Sequence, residues 1–240
     1  MRTRHFLVAA ACATLLTGCG GAAAPGVAAS VGDETISTER IDATTTAYCS
    51  AQEENYTANG VALPLGTVRR QVLSSLVMRE IADQIAERYD VGTGDGYAQA
   101  RQQVRGQVEG LSEAEREAVL EVETVGGYLR DVVTAAAEKD LADQGVDAGE
   151  EQVLERAIDL FAHWSDEAPV ELNPRYGVRF SEGDFVPAGS DLSVPVSEDA
   201  RSAQVVEDFE QSTDQAEQME LGQRVTGYAR SLPESQRCGG

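Results

Sequence analysis

A mainly α fold, an orthogonal helical bundle joined by a small β-hairpin or short sheet, is what this 240-residue sequence predicts. Three observations carry it. Aromatic residues make up only 5% of the chain, which favours helices packed through Ala, Val, Leu and Ile over an aromatic-rich sandwich. Val68, Val72, Leu76, Ile81 and Ile85, widened by Leu73 and Val77, recur at helical spacing with charged residues opposite. Ser30-Val31-Gly32-Asp33-Glu34-Thr35-Ile36 sets two β-favouring runs either side of a Gly-Asp pair suited to a tight reversal.

Taken in order, the chain opens with a segment that reads as an export signal. Arg2 and Arg4 precede an apolar stretch from Phe6 to Leu16 that is too short to span a bilayer as a helix. Leu16-Thr17-Gly18-Cys19 resembles the bacterial lipobox, in which small residues fit a signal peptidase and the cysteine thiol takes a diacylglycerol. The plainer alternative is a secretory signal with an incidental cysteine. Residues 1–18 are thus expected to be a lipoprotein signal peptide and Cys19 the lipid attachment site. Residues 19–29, mostly Gly, Ala, Pro, Val and Ser, are expected to be a tether.

Ala28 to Val31 and Thr35-Ile36 are predicted to pair as a hairpin, and Ser37 or Thr38 to cap a first helix running to about Gln52. That helix is weak, because Thr44-Thr45-Thr46 is β-branched. Glu53 to Gly66 reads as a connecting loop, and Thr67 to Tyr89 as the strongest helix, ended by Gly92, Gly94 and Gly96. Tyr97, Val104 and Val108 predict a thinner helix over Asp95 to Glu109. Ser112-Glu113-Ala114-Glu115 is a capping-box pattern opening a helix to about Gln144, which Gly126-Gly127 is expected to break or kink. Asp147 is expected to cap a helix over Ala148 to Trp164, with Val153, Leu154, Ala157, Ile158, Phe161 and Trp164 on its apolar side.

Val170 to Leu172 and Val178 to Phe180 read as short strands that pair with the opening hairpin, and Ser181 to Ser197 as irregular. Residues 198–240 form an acidic C-terminal segment that reads equally as a surface helix or a solvated chain, ending in an extended stretch pinned by Cys238.

Lys and Arg number 19 against 41 Asp and Glu, a formal charge of −22, which repels nucleic acid and anionic headgroups and excludes a nucleic-acid partner. With Cys12 lost in the signal and Cys19 lipidated, Cys49 and Cys238 remain. Two thiols in an exported chain point to one disulfide, the alternative being two independent thiols. Closing so long a loop is worth roughly 4 to 5 kcal/mol in loop-entropy models.

Catalytic chemistry finds little footing, and no enzyme activity, metal or cofactor is expected. His163 stands alone near a helix end, where it reads as a cation or hydrogen-bond donor. Gly92-Thr93-Gly94-Asp95-Gly96 follows a helix and lacks Lys, so it reads as a turn and not a phosphate loop. Ser181 and Ser190 have no base nearby in sequence, and Glu53-Glu54, Glu113 with Glu115, and Glu150-Glu151 read as solvated surface.

Ser30 to Thr38, followed by Arg70-Gln71-Val72-Leu73-Ser74-Ser75-Leu76-Val77, resembles the N-terminal chaperone domain of the SurA and PrsA family of exported foldases, where a short strand and turn precede an amphipathic hub helix. Leu172-Asn173-Pro174-Arg175-Tyr176-Gly177 and the ending Leu232-Pro233 to Arg237-Cys238 resemble actinobacterial lipoproteins of this type. Lys139 is the only lysine, which fits a GC-rich genome. The resemblance covers Ala28 to Phe180 and implies that residues 30–197 form a SurA-like chaperone domain.

Family foldases also carry a parvulin prolyl-isomerase domain. Gly189-Ser190-Asp191-Leu192-Ser193 is only a faint echo of it, and isomerase activity does not carry over. What the resemblance implies is a lipid-anchored domain on the extracytoplasmic face of the cell membrane that cradles unfolded or nascent segments of exported proteins. A partner-docking scaffold and a degenerate prolyl isomerase are the alternatives. A cradle needs an apolar groove with a polar rim. Phe161, Trp164, Tyr176 and Phe180 are its candidate lining, and ordinary core is the competing reading of the same four residues.

Overall fold

The computed structural model describes residues 24–188 and 197–240, so Cys19, the expected signal and the start of the tether lie outside the described residues. In chain order the elements are β1 (Val27–Val31), β2 (Glu34–Ser37), α1 (Thr38–Ala58), β3 (Leu63–Pro64), α2 (Leu65–Tyr89), α3 (Asp95–Val104) and α4 (Glu113–Asp143). Then follow α5 (Glu150–Glu167), β4 (Val170–Leu172), β5 (Val178–Ser181), β6 (Asp184–Pro187), α6 (Glu198–Gln211), α7 (Gln215–Ser231) and β7 (Arg237–Cys238). The fold is mainly α with short antiparallel sheets. No helix among the described residues is long and apolar enough to cross a membrane.

The opening hairpin forms as the sequence predicts. β1 and β2 pair antiparallel around Gly32-Asp33, and Gly32 takes φ +57, a conformation that costs a residue without a Cβ little. Ala28, Ala29, Val31 and Ile36 are buried. Ser37 Oγ accepts from Arg40 N at 3.1 Å, which caps α1 directly at the end of the strand. β4 joins the free side of β1 and gives the order β2-β1-β4. Asn173 fastens this edge: its backbone N donates to Ala28 O and its Nδ2 to Val27 O, both at 2.8 Å. The second late run behaves differently, since β5 turns back on β6 as a separate hairpin. Only Val170 to Leu172 therefore reaches the opening sheet, and the stretch read as irregular begins with a strand pair. Ser190 and the Gly189 to Ser193 run lie outside the described residues.

Packing overrides local propensity in α1. The helix passes its expected end at Gln52 and continues to Ala58, so most of what read as a loop is helix and strand. Ile41, Thr45, Tyr48 and Gln52 form its buried line, and the Tyr48 hydroxyl donates to Glu123 of α4. The α3 helix instead stops early at Val104, its one buried residue, before Gly106 and Gly110.

The glycines around α3 have a specific use. Asp131 of α4 accepts from Tyr97 N at 2.8 Å, so its carboxylate occupies the N-terminal end of α3, where free N–H groups and the helix dipole favour an anion. A Cβ on Gly96 would collide with that carboxylate. The Gly92 to Gly96 run is thus an anion-receiving turn whose anion is an internal side chain.

Gly126-Gly127 does not break α4, which is continuous from Glu113 to Asp143 after the Ser112/Glu115 capping box. The reason is the approach of α3: a Cβ on Gly127 would lie 3.0 Å from Ala100 Cβ and 3.3 Å from Gly96 O, while one on Gly126 would meet nothing within 4 Å. α5 starts at Glu150, later than expected, because Gln152 Oε1 accepts from Gly149 N at 3.1 Å and closes the turn from inside the helix.

The acidic C-terminal segment is a helix pair. Val205, Val206, Leu221 and Val225 form its own small core, with Leu63, Phe209 and Tyr228 packed against it. Asp214 caps α7 by accepting from Ala216 N and Glu217 N at 2.9 Å. Arg70 pairs with Glu210 at 2.5 Å and Arg230 donates to Gly60 O at 2.8 Å, which attaches the pair to the body. β7 then pairs with β3, and Cys49 and Cys238 form a disulfide across a sequence separation of 189.

The two glycines of α4 should respond oppositely to substitution. Gly126→Ala is expected to stabilise the protein by about 0.5 to 1 kcal/mol through helix propensity. Gly127→Val is expected to destabilise it by about 1 to 3 kcal/mol through overpacking against α3. Urea midpoints that move in the same direction for both would contradict the packing account.

Alkaline pH supplies a second test. Burial, together with the hydrogen bond to Asp83, pushes the Tyr128 hydroxyl from 10.0 up to about 12, and burial with the bond to Glu123 pushes Tyr48 upward as well. The folded state keeps protons that the unfolded chain releases near pH 10, so this stability is intact below pH 10 and lost as pH rises through the folded values. Helicity and phenolate absorbance followed together should show these two tyrosines ionising only as helix is lost. Ionisation of all seven tyrosines near pH 10 with helicity retained would be the opposite result.

Candidate functional site

α5 lies on the body by one line of its surface. Val153, Ala157, Leu160 and Trp164 follow one another at helical spacing and are all less than a tenth exposed. Arg156 pairs with Asp140 of α4 at 2.6 Å, and Glu167 with Arg88 of α2 at 2.7 Å, so both ends of the helix are pinned. The Arg88 guanidinium beside it, with His163, holds the Glu167 carboxyl below the usual range. His163 Nε2 lies 3.1 Å from Glu167 Oε1 on the exposed side, as its position near the helix end implies.

The rest of the predicted apolar side points outward. Leu154 and Ile158 are 62% and 61% exposed, a turn apart on the same face, and Phe161 continues the line half-buried. Exposed Glu151, Glu155 and Asp159 border it on the solvent side. On the other side Phe161 meets the β5–β6 hairpin: a Cβ on Gly183 would lie 2.8 Å from the Phe161 ring, and Gly183 holds φ +82. Only glycine satisfies both conditions there. The same hairpin carries Phe180 and Phe185, directly paired across the strands, with ring centroids 5.2 Å apart at 69°.

The four residues expected to line a groove therefore separate into two layers. Trp164 and Tyr176 are each 5% exposed and belong to the main core, so for them the core reading applies. The Tyr176 hydroxyl is buried there without a hydrogen-bond partner among the described residues. Phe161 and Phe180 sit above, half-buried against that core. What is exposed is a ribbon and not a closed groove, and its most accessible members, Leu154 and Ile158, read from the sequence as core-facing. The available signal was width. An apolar arc running from Val153 round to Ile158 exceeds what one neighbouring element covers.

The ribbon offers apolar contact beside a row of carboxylates. That combination suits a segment carrying aliphatic or aromatic side chains interspersed with Lys or Arg. Among the described residues no group of three or more His, Cys, Asp or Glu could hold a metal ion. No family model, no curated protein and no solved structure matches the chain.

Proposed function

We propose that this protein is a lipid-anchored, extracytoplasmic chaperone-like domain of the SurA type that holds unfolded or nascent segments of exported proteins along α5. The observation that carries this reading is the exposure of Leu154 and Ile158 beside Phe161 and the Phe180/Phe185 pair. Exposed aliphatic side chains in a row have no role in the packing of α5, which Val153, Ala157, Leu160 and Trp164 already supply. The bordering Glu151, Glu155 and Asp159, in a chain of formal charge −22, favour basic apolar clients and keep the loaded domain soluble. The lipobox-like run ending at Cys19 and the disulfide between Cys49 and Cys238 support an oxidising compartment with attachment at the membrane surface.

Aggregation of two unrelated denatured proteins, one basic and one acidic, should be slowed by the protein, more strongly for the basic client. The double variant Leu154→Ser, Ile158→Ser should lose most of this effect while keeping its helicity, since exposed positions shift stability by only about 0.5 kcal/mol. Unchanged protection by that variant, or capture of one stoichiometric partner with no protection of either client, would favour a docking scaffold. The anchor is tested separately. Cys19→Ser should move the protein from the membrane fraction to the soluble extracytoplasmic fraction, and persistent membrane attachment would remove the lipid from the proposal.

A further inference from the structure

We propose that the depression between the end of α3 and the start of α4 binds a small anionic amphiphile, a carboxylate or phosphate head carrying an apolar chain. The depression has a volume of about 450 Å3 and is lined by Ala98, Arg101, Arg105, Val108, Arg116 and Leu120. That volume lies within the range of small-molecule sites. Val108 and Leu120 are half-buried, and the three arginines are exposed around them.

Three arginines without a carboxylate partner line one depression of a strongly acidic chain. Carboxylates outnumber basic groups 41 to 19. Arg40, Arg69, Arg70, Arg79, Arg88 and Arg156 each hold one at 3.1 Å or less. Among the described residues, Arg101, Arg105 and Arg116 have no carboxylate within 4.0 Å. Arg101 lies 5.7 Å from the Tyr97 ring centroid, and Arg116 donates to Leu111 O at 3.2 Å. Of the acids nearby, Glu115 accepts from Ser50 and from Ser112 N.

Helix dipoles account for part of the cluster and not for all of it. Arg101 and Arg105 sit at the C-terminal end of α3, where a cation is favourable. Arg116 sits in the first turn of α4, the end at which a cation is unfavourable, and it lines the same depression as two like charges. An anion in the depression relieves both penalties. Guanidinium forks match a carboxylate or phosphate in two-point contact, and Ala98, Val108 and Leu120 receive the chain attached to it. The formal charge of −22 repels an anionic membrane surface, so the ligand is a free molecule and not a bilayer headgroup.

Titration of the full chain with decanoate and with decyl phosphate, each below its micelle concentration, should give saturable binding that shifts the amide resonances of Ala98, Val108 and Leu120. Each Arg→Gln change at 101, 105 or 116 should weaken binding about tenfold, as expected for a lost charge-assisted hydrogen bond. The triple variant should abolish it with helicity retained. Added salt should weaken wild-type binding, which supplies a readout independent of any variant. Equal binding by the triple variant, or of decyltrimethylammonium, would overturn the proposal. So would inorganic phosphate binding as tightly as decyl phosphate, which would mark an ion site only. Preference for phosphatidylglycerol vesicles, or for an acidic peptide with decanoate ignored, would also overturn it.

Discussion

The burial demand of α2 sets the arrangement of everything around it. Val68, Val72, Leu73, Leu76, Val77, Ile81, Ala82 and Ile85 are each 2% exposed or less. Adjacent pairs such as Val72-Leu73 and Leu76-Val77 cannot be covered by one neighbour, because consecutive residues on a helix diverge by about 100°. Each buried aliphatic side chain contributes roughly 1.5 to 3 kcal/mol, so the arc is worth covering on several sides at once. α4, α1, the opening sheet and the C-terminal strand do so. Polar groups at the margins of the same helix then fix their positions. Gln84 donates to Val31 O at 2.8 Å, Arg69 pairs with Asp42 of α1 at 2.8 Å, and Arg70 reaches Glu210 of α6.

Where one local rule decided the outcome, the sequence was sufficient. Gly32-Asp33 demanded a reversal, Ser37 and Ser112 announced caps, and Val170 to Leu172 had the alternation of an edge strand. Features set by distant partners were not legible. Leu63-Pro64 becomes a strand only because Arg237 and Cys238 arrive beside it. Gly126-Gly127 reads locally as an interruption, and its meaning lies in the approach of Ala100 and Gly96 from another helix. Leu154 and Ile158 show the same limit at the candidate site, since periodicity gives the breadth of an apolar face but not how far the neighbouring elements extend over it.

Charge is distributed unevenly over this acidic molecule. Several arginines act as fasteners between elements, α1 to α4 through Arg40 and Glu121, α2 to α5 through Arg88 and Glu167, α4 to α5 through Asp140 and Arg156. These are exposed or half-exposed pairs whose individual contribution is small, about 0 to 1 kcal/mol. Their joint effect is orientation, which holds α5 with its inner line packed and its outer line bare. The ribbon on α5 and the arginine cluster at α3 are two places among the described residues where side chains are not committed to an ion pair or to the core.

The disulfide has a consequence for the order of events during biosynthesis. Cys49 belongs to the first helix, and its partner emerges 189 residues later. At about 5 to 20 residues per second of synthesis, the first thiol waits roughly 10 to 40 s for the second. Throughout that interval Leu63-Pro64 lacks its strand partner and the flank of α1 beside Tyr56 lacks the turn at Gly239. The early thiol is then open to capture by a cysteine of another chain. The yield of native molecules is therefore governed by how late oxidation is delayed, a matter of timing that the strength of the core does not control.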